Sequence, residues 1–184
     1  MDKWILGIIG VVVLIALYVW SGYNSLVTVR ETVANQWSQV ETQYQRRLDL
    51  IPNLVESVKG VMKQEQAVFG ALAEARTRYS GAATADDKAK AATQVESALG
   101  RLLVVMENYP QLKSAENVQT LMAQLEGTEN RVSVERKRYN DAVQTYNLRI
   151  KRLPSSILAS LFGFAEKAYF EAAPAAENAP KVNF

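Results

Sequence analysis

The 184-residue chain contains no cysteine and no histidine. Without a thiol it can form no disulfide and no thiolate nucleophile, and it carries no site for lipoprotein or palmitoyl attachment. Without an imidazole it lacks the side chain that most often moves protons near neutral pH, and Cys/His zinc sites and the Glu-x-x-His di-iron arrangement are lost with it. The absent cysteine suits oxidising and reducing surroundings alike, so it assigns no redox compartment. Charge of neither sign dominates: 21 basic and 19 acidic residues leave a net charge of +2. The only dense basic spots are Arg46-Arg47, Arg136-Lys137-Arg138 and Lys151-Arg152, each read as a solvated helix face. They are too sparse for a nucleic-acid footprint, so no nucleic-acid partner is expected. No nucleotide or metal motif is present, no cofactor is expected, and the chain reads as no enzyme.

What is there begins with twenty-six uncharged residues, Trp4 to Val29, whose core from Ile5 through Leu14 and Tyr18 to Trp20 is apolar. At a rise of about 1.5 Å per residue, Trp4 to Trp20 spans roughly 26 Å, close to a hydrocarbon core of about 30 Å. Trp4 and Trp20 then sit at the two interfaces, where amphipathic rings settle. The competing reading is a cleaved secretory signal, with Val19-Trp20-Ser21 as its end. The apolar run exceeds the usual h-region of about 7 to 15 residues, and bulky residues crowd the cleavage point, which favours an uncleaved anchor. Gly7 and Gly10 are three apart, a spacing that only weakly suggests self-packing of the anchor.

Beyond the anchor the pattern is helical. Leu26, Val33, Trp37, Val40, Tyr44, Leu48 and Ile51 follow steps of three, four and seven, one apolar stripe that continues the anchor helix. Pro52 is read as its interruption, with a kinked single helix as the alternative. Asn53 with Glu56 offers a capping-box variant for a second stripe of Leu54, Val58, Val61, Val68, Leu72, Ala75 and Tyr79. A turn over Ser80 to Ala85 precedes a third helix, for which Thr84, Asp86 and Asp87 make a favourable start. Its stripe, Ala92, Val95, Leu99, Leu102 and Met106, ends at Tyr109-Pro110. The fourth runs from Val118 through Leu121, Leu125, Val132, Tyr139, Val143, Tyr146 and Ile150 to Leu153-Pro154. Ser155 and Ser156 can then cap a short helix in which Leu158, Leu161, Phe162, Ala165 and Tyr169 share a face. Ala172 to Pro180 reads as extended, and composition leaves Pro180 to Phe184 either packed or free. The expected fold is all-α: a transmembrane helix continuing into an up-and-down, coiled-coil-like bundle of about four long helices.

Three Tyr-Asn pairs recur, Tyr23-Asn24, Tyr139-Asn140 and Tyr146-Asn147, the last two seven residues apart on one helix edge. One reading is a polar recognition strip; the other, which is preferred, has the rings filling the bundle while the amides fix register. Arg46, Arg47, Asp49, Pro52, Asn53 and Glu56 gather charge at one bundle end, ordinary as a salt-bridged corner and weak as an acid-base site. Glu126, Glu129, Asn130 and Arg131 have the spacing of exposed intrahelical pairs.

Taken in order, these residues resemble the LemA family of bacterial membrane proteins over almost the whole chain. The resemblance is carried by Tyr23 to Val27, Arg46 to Gly60, Glu74 to Arg76, Tyr109 to Lys113, Glu129 to Val132, Arg138 to Asn140 with Tyr146-Asn147, Gly163-Phe164 and Pro180 to Phe184. Its most specific stretch surrounds Asp49 to Lys59; Leu153 departs from it, standing where a phenylalanine is expected before Pro154. The resemblance implies a soluble bundle of about four helices tethered by one membrane span. It implies no chemistry, and relatives linked to membrane organisation, magnetosome formation among them, point toward scaffolding.

The expected division is an anchor over residues 1–22, a bundle over 23–153, and a short helix with an Ala/Pro-rich tail over 154–184. The expected function is a non-catalytic scaffold or adaptor in the bacterial inner membrane. Its partners are the bilayer, through the N-terminal helix, and either itself as a homo-oligomer or other membrane proteins. The rivals are a membrane-shaping ring or shell and a carboxylate-dependent hydrolase. The side of the membrane that holds the bundle stays open, because Lys3 faces only Arg30 across the anchor.

Overall fold

A computed structural model describes residues 3–170 and is helical throughout its regular structure, with no strand among the described residues. Four long helices, α1 (Lys3–Lys59), α2 (Gln66–Gly81), α3 (Ala85–Met106) and α5 (Glu116–Lys151), are joined by short turns, with α4 (Pro110–Lys113) and α6 (Ser155–Leu161) as short additions. The expectations for Ala172 to Pro180 and Pro180 to Phe184 fall outside the described residues.

The chain divides into two units, each using part of α1 and part of α5. Unit 1 holds residues 3–38 and Lys137–Tyr169; unit 2 holds Gln39–Arg136 and Phe170. In unit 2, Tyr44 of α1 packs on Tyr79 of α2 with ring centroids 5.5 Å apart. Leu72 and Tyr79 of α2 and Val95, Leu99 and Leu102 of α3 are all buried. Polar spacing elsewhere on these helices leaves one apolar stripe each to bury, and four such stripes close on one another in a bundle.

Three boundaries depart from the sequence expectations. Pro52 does not end its helix: α1 runs through it to Lys59. Proline forfeits one backbone hydrogen bond, but Leu48, Ile51, Leu54 and Val58 on either side are buried, and that packing holds the helix together. Asn53 is therefore no N-cap; its carbonyl accepts a hydrogen bond from the Ser57 hydroxyl, 2.8 Å away, inside the helix. The break falls instead over residues 60–65, which leaves Val61 exposed and turns Met62 into the buried residue. The Thr84 expectation agrees with the structure: its hydroxyl accepts from the Asp87 amide at 3.1 Å.

Ser155 plays a different part from the one expected. Its hydroxyl donates to the carbonyls of Arg149 and Arg152, at 2.7 and 2.9 Å, so it closes the end of α5 rather than the start of α6. α6 ends at Leu161, and Gly163 takes a positive φ of 70°. The Phe164 amide then reaches back to the Ala159 carbonyl at 2.9 Å, a Schellman ending that only the side-chain-free residue enters without strain. Ala165 and Tyr169 thus lie beyond the helix, and of the expected α6 face only Leu158 is buried.

Candidate functional site

Seven-residue steps along α1 place Leu26, Val33, Val40, Arg47 and Leu54 in one buried row. Arg47 is thus a guanidinium in an aliphatic row, only 7% exposed. This overturns the reading of Arg46-Arg47 as a solvated face, since Arg46 alone is exposed. Glu129 of α5 binds Arg47 directly, and Oε1 of Glu96 on α3 lies 3.9 Å from Arg47 Nη1. The expected intrahelical pairing of Glu129 is therefore replaced by one across helices.

A second cation completes the node. Arg136 Nη2 donates to Glu96 Oε1 and to the Tyr44 hydroxyl, and that hydroxyl donates to Glu96 Oε1 at 2.7 Å. The Arg136 guanidinium also lies 4.3 Å from the centre of the Phe170 ring. Arg136 is accordingly half-buried and engaged between helices of unit 2, another departure from the solvated-face expectation. Two guanidinium groups face two carboxyl groups there, and with Glu96 ionised the formal charges balance, which is what makes placing Arg47 in the core tolerable. Burial, reinforced by the negative charge of Glu129 and opposed by Arg47, pushes the Glu96 carboxyl up to about 7. Burial lowers the Arg136 guanidinium to about 10, so it keeps its charge at neutral pH.

A carboxyl titrating near 7 can exchange a proton under physiological conditions, the property of a general acid or base. Yet Oε1 of Glu96 already accepts from both Tyr44 and Arg136, so the same geometry ties α1, α3 and α5 together. The signal that could have found Arg47 is its place in the seven-residue row. Glu96, half-buried on the edge of the α3 stripe, and Glu129 carry no such mark in the sequence.

The Tyr-Asn pairs form a second cluster, inside unit 1. Tyr139 and Tyr146 on α5 donate their hydroxyls to the carbonyls of Ala168 and Ala165, at 3.2 and 2.8 Å. Asn147, 3% exposed, donates through Nδ2 to the Lys167 carbonyl at 2.8 Å and accepts from the Lys167 amide at 3.0 Å. Tyr23 on α1 meets the Phe162 and Phe164 rings edge-on, with centroids 4.9 and 5.9 Å apart. The strip is therefore a clamp on the chain's own backbone after α6. Asn147 reads that segment as a strand neighbour would, through one donor and one acceptor. Asn140, half-buried on the same helix, and exposed Asn24, whose carbonyl accepts from Thr28, are not part of this grip.

The remaining singled-out residues are spread out. Asp49, Asn53 and Glu56 are exposed on one face of α1, and Pro52 is half-buried beside them. Asp49 accepts from Gln45 at 2.9 Å and lines a groove between α1 and α5 with Arg46, Thr120 and Arg131. Among the described residues, Asp49 and Glu56 are not brought together as an acid-base pair at this end. Trp4, Ile5, Leu14, Tyr18 and Trp20 are all exposed, Trp4 at 85%.

An apolar helical segment of mean hydropathy 2.4, with none of its residues buried, continues into packed helices stitched by polar nodes. Those features define a membrane-associated helical bundle protein. The LemA family profile matches residues 36–184, and the chain belongs to that family. Two magnetosome proteins of Paramagnetospirillum magneticum, MamQ 1 and MamQ 2, are each 28% identical to it over 94% of this chain and 73% of their own length. MamQ of Magnetospirillum gryphiswaldense is 27% identical over 84% of this chain and 66% of its own.

Proposed function

We propose that the protein is a non-catalytic scaffold or adaptor, held in the bacterial inner membrane by a single pass over residues 4–20, whose helical units bind copies of itself or other membrane proteins. The observation that carries this reading is the continuity of α1. Exposed Trp4 to Trp20 and buried Leu26 and Val33 lie on one helix with no break between them, so the membrane segment and unit 1 move as one piece. A rigid junction of this kind transmits position, which suits a scaffold. The relatives support the same direction, since their names make them magnetosome proteins. Shaping of the membrane by a ring or shell of copies is a finer version of the same proposal.

A second reading, a hydrolase using Glu96 and Glu129, draws on the raised carboxyl of Glu96. Against it stands the charge-balanced packing of both carboxylates between Arg47 and Arg136. Crosslinking of the full chain in native membranes followed by mass spectrometry separates the two. Reproducible crosslinks to a second copy or to membrane proteins are expected. The scaffold reading fails if the chain crosslinks to nothing while a hydrolytic activity is found that Glu96→Gln eliminates with the helical content intact.

A further inference from the structure

The junction between α5 and α6 carries large apolar side chains that unit 1 leaves largely open. Leu153 is 77% exposed, Ile157 63% and Leu161 72%, with Phe162 close by at 45%. On a wholly water-bathed surface four such neighbours would be costly. Their position in unit 1 gives the reason for them. Leu158, on the covered side of α6, packs directly over Gly22, where a side chain would strike it. Phe162 packs on Tyr23. Gly22 lies two residues beyond Trp20, about 3 Å of helix rise. The polar headgroup layer is about 5 to 8 Å deep on each side of the hydrocarbon. α6 is therefore at the depth of that layer.

Basic groups accompany the apolar ones. Arg149 reaches the Ser25 hydroxyl at 2.9 Å, and Ser25 is five residues past Trp20, about 7.5 Å of rise and so level with lipid phosphates. Arg149 and Arg152 line one cleft with Tyr18, Ser21, Gly22 and Leu153, a cavity of about 690 Å³ where the apolar helix emerges. No ion pair engages the Arg152 guanidinium among the described residues. Apolar side chains at the level of the interface, with guanidinium groups beside them, make up the composition that binds an anionic bilayer surface.

We propose that α6 and the end of α5 form a second membrane contact, a collar in which Leu153, Ile157, Leu161 and Phe162 enter the lipid interface while Arg149 and Arg152 bind the phosphates of anionic phospholipids. The collar rests on the reading of residues 4–20 as membrane-spanning. It fixes the tilt and rotation of α1 at its exit, because a helix held at two lateral points cannot swivel.

The absence of native cysteine makes spin labelling direct. Single Cys variants at Ile157, Leu161, Val104 and Val12 of the full chain are labelled with a nitroxide and reconstituted in vesicles, either of phosphatidylcholine alone or with phosphatidylglycerol added. Accessibility to oxygen and to a water-soluble nickel chelate is then compared, with circular dichroism checking helical content. The collar predicts labels at Ile157 and Leu161 with an oxygen-to-nickel ratio several-fold above that at Val104 on unit 2. It also predicts deeper positions with phosphatidylglycerol, a gain that Arg149→Gln with Arg152→Gln removes. Labels at Ile157 and Leu161 as open to nickel as the one at Val104 would overturn it, and so would labels shielded from both reagents, which would mean a second protein copy covers the face. Equal depth in the two vesicle types would overturn the phosphate contact. A Val12 label in lipid while those at 157 and 161 are in water defeats the collar alone; a Val12 label in water defeats the anchor reading.

Discussion

Arg47 occupies a place where the spacing of α1 calls for an aliphatic residue, and the cost of burying its charge is met by Glu129, Glu96 and, through Glu96, Arg136. Such nodes are sensitive to protonation. The folded Glu96 carboxyl titrates at about 7 against an ordinary 4.5, so between those values the folded chain keeps a proton that the unfolded chain has released. The stability it contributes is complete below about pH 4.5 and is lost as pH rises through about 7, on the order of 3 kcal/mol. Urea denaturation of the full chain in mild detergent should find a falling stability between pH 5 and 8, and Glu96→Gln should flatten that slope. Trp37 is the other instructive residue. Its place in the stripe suggests a fully buried aromatic, but it is half-buried, edge-on to Tyr139 with centroids 5.4 Å apart. Trp37→Ala should therefore cost about 1 to 2 kcal/mol in the same assay, below the roughly 3 to 5 kcal/mol of a buried large aromatic. A loss above about 3 kcal/mol would place Trp37 in the core after all.

Among the elements, α5 does two jobs with one seven-residue period. Val118, Leu125 and Val132 bury into unit 2, and the same row continues as Tyr139 and Tyr146 in unit 1, where the larger side chains bring hydroxyls to the backbone of residues 165–168. Asn147 adds the pair of bonds to Lys167. Removing its amide leaves a buried N–H and a carbonyl unpaired, so Asn147→Ala should cost about 2 to 4 kcal/mol. The loss should be local: hydrogen exchange over residues 164–169 should speed up strongly while that over α3 stays as it was. Uniform loss of protection across α3 and α5 would show instead that Asn147 supports the whole bundle. The direction in which the chain leaves α6 toward that clamp is set by the positive φ of Gly163.

For the whole molecule, the proposed anchor assigns the exposed apolar segment of α1 to lipid. Val12→Arg puts a charge near its middle at a cost of roughly 2.5 to 3.5 kcal/mol on the insertion scale. Carbonate-washed membranes should then retain much less of the variant than of the unaltered chain, which should stay bound at full length with residues 1–22 present. A mature terminus at Gly22 or Tyr23 would identify the segment as a signal. Helix type and most of the apolar stripes are legible in the sequence, because an amphipathic helix writes its buried face into its own period of 3.6 residues. The length of the apolar run likewise needs no tertiary information, since bilayer thickness alone sets it. Three things are decided only by tertiary structure: the passage of α1 through Pro52, the pairing of Arg47 with Glu129 and of Arg136 with Glu96, and the capture of residues 165–168 by Tyr139, Tyr146 and Asn147. In each, the deciding partner lies on another segment of the chain. A proline's penalty is outweighed only by packing from elsewhere, and a buried charge or amide is tolerated only where a distant group meets it, so a local pattern can mark Arg47 as buried but cannot name its partner.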